Sequence, residues 1–341
     1  MAIFRSERID MINVSKTRKR SRLAFVIAVC VVFFLMSCAD KGIEYEDLKP
    51  VQKVAAVNDT VTLSSHVSNL VYRGGRYYIS DYHRGIVSFD ESFSAMERMD
   101  GGTLQLAMPQ CYMFAVGEDG SMCVYNHDEK TFCLYKGKNI EKISVPDYCV
   151  TYPSRFSYEG DSIIFPVVKN ANTAVVMLKD STISRFSPVV KGLDDARMPY
   201  HSDRMIVKND IYTFVIGRGI PLIQMYSHDF KLVSSYDLRA VEDVAETVEQ
   251  QKSDDPNTYF VVLRDVYCSN DKLYVLASTK KDGKYKSNLI LVLNIENDAM
   301  ALSSAYVLEG NVYSTLCVNE KGQLVVVNSK TSNVEFYEIA K

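Results

Sequence analysis

The chain is 341 residues long, enough for one large domain or two ordinary ones. Its 39 Lys and Arg against 42 Asp and Glu leave a formal net charge of −3, without the basic footprint of a nucleic-acid binder. With 22 Tyr, 15 Phe and no Trp, the composition leans towards half-buried strands and away from Trp-based carbohydrate stacking.

In chain order, the first signal is the N-terminus. Arg18-Lys19-Arg20-Ser21-Arg22 precedes an apolar run of 14 residues from Leu23 to Met36. A basic n-region followed by a short h-region reads as a secretory signal peptide. The run falls short of the roughly 20 residues a spanning helix needs, and a transmembrane anchor is the alternative. Leu35-Met36-Ser37-Cys38 resembles the bacterial lipobox. The resemblance implies lipidation of Cys38 as the mature first residue and attachment to a membrane through acyl chains. Ala39 stands where some bacteria use Asp to retain lipoproteins in the inner membrane, which favours the outer membrane. Residues 1–37 are therefore read as a signal peptide, with translation starting at Met1 or Met11. Residues 38–52 are read as a polar, flexible tether and 53–341 as the folded domain.

Beyond the tether a single unit repeats. Val67–Asp90 reads as three strands, Asn69–Tyr72, Arg76–Ser80 and Ile86–Phe89. Gly74-Gly75 joins the first two, since glycine takes the positive φ of a primed hairpin turn. Similar turns fall near Gly75, Gly120, Asp161, Asp210, Asp271 and Gly322, at spacings of 45, 41, 49, 61 and 51 residues. Five residues before each stand Leu70, Ala115, Phe156, Met205, Val266 and Cys317, all apolar. Four-stranded units of this length predict an all-β, six-bladed β-propeller with antiparallel blades. The even spacing disfavours a pair of β-sandwiches. The last unit ends after its third strand, so an N-terminal strand, Thr60–Leu63, is expected to close the last blade and cover a free edge.

The blade patterns GG-RYYISDY…GIVSFD and ND-KLYVLAS…NLILVLN, together with the lipobox, resemble the six-bladed propeller lipoproteins of Bacteroidota, of the TolB-like or NHL-like kind. The resemblance spans nearly the whole mature chain. It implies an architecture and an envelope address rather than an activity.

Between the fourth and fifth units, Leu238–Gln251 breaks the β pattern. Val241, Val244, Ala245 and Val248 recur at helical spacing, opposite Glu242, Asp243, Glu246 and Glu249. This helix either caps a site, docks a partner or fills a long connection. The six cysteines beyond the leader match no zinc spacing and read as buried thiols. Cys133 is expected opposite Val124 rather than Cys123, which argues against a disulfide.

In a propeller, the loops entering the innermost strands and those between second and third strands share one face. There the register places Asn69, Arg155, Arg204 and Asp265, with Arg264 alongside and Asp81, His83 and Arg84 from a neighbouring loop. These are the candidate ligand-binding residues, because arginine forks suit carboxylate or phosphate. An anionic or polyhydroxylated small ligand, or an envelope protein partner, is expected. The same arginines could instead pair with acidic neighbours and stiffen the ring. No catalytic motif, metal set or cofactor fingerprint is present. The leading expectation is a lipid-anchored binding or interaction module of the outer membrane. The alternatives are a propeller hydrolase or lactonase with a channel-mouth active site, and a structural subunit of an envelope complex.

Overall fold

The computed structural model describes residues 43–341 except 56, 59–60, 64–66, 82–84, 94–95, 99–112, 128, 138, 146–154, 161, 168–171, 179–180, 190–202, 255–260, 282 and 340–341. The leader with Cys38, together with His83 and Arg84, lies outside the described residues. Among the described residues, no helix is long and apolar enough to cross a membrane.

The chain enters through two short strands, β1 (Tyr45–Leu48) and β2 (Gln52–Val54), then a small hairpin of β3 (Val57–Asn58) and β4 (Val61–Thr62). Six antiparallel four-stranded units follow. Blade 1 is β5 (Val67–Arg73), β6 (Arg76–Asp81), β7 (Gly85–Asp90) and β8 (Met96–Arg98). Blade 2 is β9 (Phe114–Val116), β10 (Met122–Asn126), β11 (Thr131–Lys136) and β12 (Asn139–Ser144). Blade 3 is β13 (Ser157–Glu159), β14 (Ser162–Pro166), β15 (Asn172–Leu178) and β16 (Ser181–Pro188). Blade 4 is β17 (Arg204–Lys208), β18 (Thr213–Gly217), β19 (Leu222–Tyr226) and β20 (Leu232–Asp237). Helix α1 (Glu242–Asp254) then precedes blade 5: β21 (Leu263–Ser269), β22 (Lys272–Lys281), β23 (Lys284–Glu296) and β24 (Ala299–Leu308). Blade 6 has β25 (Tyr313–Val318), β26 (Leu324–Asn328) and β27 (Val334–Tyr337) from the C-terminus, and β2 as its fourth strand.

The innermost strands touch in a closed ring: β5 meets β9, β9 meets β13, β13 meets β17, β17 meets β21, β21 meets β25, and β25 meets β5. This is a six-bladed β-propeller. The six aligned apolar residues, Leu70 to Cys317, are all buried, five on these strands and Phe156 one residue ahead of β13. Their burial explains the even register, because a one-residue slip would turn the whole apolar set outward. Gly74 and Gly75 both take positive φ, 57° and 73°, as the primed turn requires.

The closing strand differs from the expectation in identity but not in kind. Gln52–Val54, not Thr60–Leu63, pairs with β27, through Gln52 opposite Phe336 and Val54 opposite Val334. Val61 and Thr62 pair locally with Asn58 and Val57 instead. Part of the segment read as tether is also ordered, since β1 adds parallel to the outer strand of blade 5, Tyr45 opposite Ala305 and Leu48 opposite Leu308. The N-terminal stretch thus covers the outer edges of two neighbouring blades.

Helix α1 forms within the stretch that the apolar spacing marks, after a 3-10 turn at Leu238–Ala240; Val244 and Val248 on the helix and Val241 just ahead of it are buried. It packs on β22, where the Thr247 hydroxyl accepts the Lys280 N–H at 3.0 Å. Cys123, Cys133, Cys268 and Cys317 are free thiols. Cys133 stands opposite Val124, as the hairpin length requires.

Candidate functional site

The innermost strands carry two sets of chemistry, one at the middle of the axis and one where each strand turns outward. The middle holds the residues picked out by register. Arg155, just ahead of β13, reaches Asp265 on β21 through a bidentate pair, Nε to Oδ1 at 2.7 Å and Nη2 to Oδ2 at 2.6 Å. Both side chains are buried, 8% and 7% exposed. The same guanidinium donates to the carbonyls of Leu70 and Leu316, each at 3.2 Å. Asp265 Oδ2 also accepts the Thr315 hydroxyl at 2.5 Å and the Leu316 N–H at 2.9 Å. Burial opposes the charge on Arg155, and the Asp265 carboxylate more than offsets it, holding the guanidinium above its ordinary range. These bonds join blades 1, 3, 5 and 6 across the axis. Asn69 adds blade 2, donating to the Phe114 carbonyl at 2.8 Å.

The remaining candidates do not converge on that pair. Arg204 is buried against the backbone of blade 4 and donates to the Asp203 carbonyl at 3.0 Å. Arg218 pairs with Asp203 at 2.9 Å. Arg264 is exposed and lies over blade 5, donating to the hydroxyls of Ser278 and Ser287 at 3.1 and 3.2 Å. Asp81 is buried at the end of β6.

The second set lies at the opposite end of the axis. Where the inner strands of blades 1–5 run into their hairpin turns, they line an open cavity of about 520 Å³ with Arg155 at its inner end. That volume falls within the ~300–1,000 Å³ typical of small-molecule sites. Tyrosines near the inner-strand ends, Tyr72, Tyr158 and Tyr267, line it together with Tyr212 of blade 4. Three of the phenols are tied to scaffold: Tyr72 donates to Glu91 at 2.6 Å, Tyr158 accepts from Ser121 at 3.3 Å, and Tyr212 donates to Asp298. The Tyr267 ring is half-buried, and burial raises its phenol well above the usual range.

Charges ring the mouth. Arg73 pairs with Glu118 at 3.1 Å, and Lys208 pairs with Glu159. Burial makes the Lys208 ammonium more acidic than usual, with Asp210 and Glu118 pulling the other way. Asn209 shapes this rim by accepting the Ile211 and Tyr212 N–H groups at 3.0 and 2.7 Å. Its amide also donates to the Asn270 carbonyl of the next blade at 2.6 Å.

Of the residues singled out from sequence, Arg155 lines this cavity, while its tyrosines and rim charges were not singled out as site residues. A signal was present: blades 1, 3 and 5 each place a tyrosine close ahead of the first hairpin turn. Among the described residues, no group of three or more His, Cys, Asp or Glu is placed to hold a metal ion.

No protein-family profile matches the sequence. No curated protein matches it either. Among solved structures, the chain is similar to the WD40 β-propeller domain of Doa1, with a TM-score of 0.52 and 11% identity over 86% of this chain and 98% of that one. It is also similar to virginiamycin B lyase from Staphylococcus aureus, with a TM-score of 0.50 and 8% identity over 85% of this chain and 99% of that one. At these identities the likeness is one of fold, and it agrees with the propeller built above.

Proposed function

We propose that this protein is a lipid-anchored propeller of the bacterial cell envelope that works as a ligand-binding module, taking its ligand in the cavity on the hairpin-turn face. The observation that carries the reading is the contrast between the two sets of axial residues. Arg155 and Asp265 satisfy each other and four neighbouring groups, so they act as a weld and a cavity floor. The space outside that floor is open, aromatic and charged. A rigid scaffold holding such a pocket is the usual arrangement of a small-molecule site.

The membrane address rests on the N-terminal sequence, Leu35 to Cys38, and agrees with the early capture of the chain by blades 5 and 6. A lipid on Cys38 would hold the propeller within a few residues of the bilayer, on the outer membrane by the Ala39 reading. The membership in the TolB-like propeller lipoproteins of Bacteroidota proposed on the blade patterns fits the same picture.

The test is a screen of the purified full-length chain in detergent against amines, carboxylates, phosphates and neutral sugars, read by thermal shift. A ligand at 100 times its Kd stabilises by about 2.7 kcal/mol. The reading expects a hit that is lost on Tyr267→Ala and kept on Arg264→Ala. Turnover of a hit without a stable complex would instead favour a propeller enzyme.

A further inference from the structure

We infer that the hairpin-face cavity takes a small organic cation, an amine or guanidinium compound with an aliphatic spacer. This rests on the reading of that cavity as the ligand site and adds the chemistry of its occupant. Every cation on the wall is already committed: Arg73 to Glu118, Lys208 to Glu159 and Arg155 to Asp265. Two carboxylates are left over, Asp210 from the blade 4 turn and Asp271 from the blade 5 turn. Both are exposed, and among the described residues neither stands within ion-pair distance of a cation, although Asp210 acts at longer range on the Lys208 ammonium.

Other features of the cavity agree with this charge. Burial pushes the Cys268 thiol up to about 12, and the nearby charges of Asp210 and Asp271 add to the shift. Tyr267 also lines the cavity and is half-buried, and the negative face of an aromatic ring attracts ammonium and guanidinium groups. At the rim Ile211 is 62% exposed, an apolar surface suited to a methylene chain between two polar ends. An anion would have to break an existing ion pair to gain a partner here, whereas a cation finds two carboxylates ready. A bare divalent metal fits less well, since two exposed carboxylates and a neutral thiol supply too few hard oxygen ligands.

The experiment titrates the full-length chain with agmatine, and in parallel with succinate, inorganic phosphate and glucose, by calorimetry at low and moderate salt. Agmatine is expected to bind, more weakly as salt rises. Asp210→Asn with Asp271→Asn, both exposed substitutions, should raise its Kd about tenfold, the worth of two exposed ion pairs. Arg73→Gln should tighten binding by freeing Glu118, a gain that a misfolded variant could not produce. Succinate or phosphate binding in a Tyr267-dependent way would overturn the cation inference while leaving the cavity as the ligand site. Agmatine binding unaffected by the aspartate pair would overturn it too. If no probe of any class gives Tyr267-dependent binding, both the inference and the reading beneath it fail.

Discussion

Asp265→Ala tests whether the axial pair is a weld. The substitution strips Arg155 of both carboxylate contacts at 2.6–2.7 Å and leaves a buried guanidinium with only backbone carbonyls and a hydroxyl. Breaking a buried pair from one side costs about 3–5 kcal/mol, because the surviving charge has no compensation. Arg155→Met should cost a similar amount, since it strands the Asp265 carboxylate. Independent effects would sum to about 6–10 kcal/mol in the double variant. The structure predicts far less, because Arg155→Met with Asp265→Ala leaves no buried charge. What remains is the cost of groups the pair had satisfied: the Leu316 N–H loses its acceptor, at about 1–3 kcal/mol, and the Thr315 hydroxyl and the Leu70 and Leu316 carbonyls also lose a partner. Urea unfolding followed by circular dichroism gives the four midpoints, with equal slopes as the check on a common reference state. Additive losses, or single losses below about 1 kcal/mol, would refute the weld and return these residues to the list of ligand contacts.

Three further outcomes follow from the same structure. Deleting residues 43–54 uncovers the outer edges of β24 and β27 and loses Leu48, which is 7% exposed and contributes about 2 kcal/mol by burial. The variant should melt earlier and associate with concentration on size-exclusion chromatography, while unchanged behaviour would contradict the latch. Lys208 has its folded-state pKa lowered below 10.5, chiefly by burial. Between the two values the unfolded chain holds more protons, so this residue makes stability rise with pH across that window, and Lys208→Met should flatten the slope. Cys38→Ala should move the protein from the membrane fraction to the soluble fraction; retention in the membrane would mean that Leu23–Met36 is a true span.

The blade count and most strands were legible because burial enforces a period of two and the turns recur. Leu222–Tyr226 and Val334–Tyr337, for instance, form as their apolar patterns dictate. The closing strand was less legible. Gln52–Val54 carries little apolar pattern of its own, being mostly exposed, and it is fixed by the unpaired edge of β27 rather than by its side chains. The site was harder still. Register put Arg155 and Asp265 together at the channel mouth, yet whether two facing charges receive a ligand or each other depends on distance, and here they pair. Asp210 and Asp271 read locally as turn residues. Only closure of the ring gives them a common cavity.

Hydrogen–deuterium exchange of the full-length chain, with and without a ligand found in the screen, tests the central claim most directly. Protection is expected at the turns around Arg73, Glu118, Asn209–Tyr212 and Tyr267–Asp271, with the positions at Asp203, Arg218 and Arg264 on the far face unchanged. Protection confined to that far face would contradict the account.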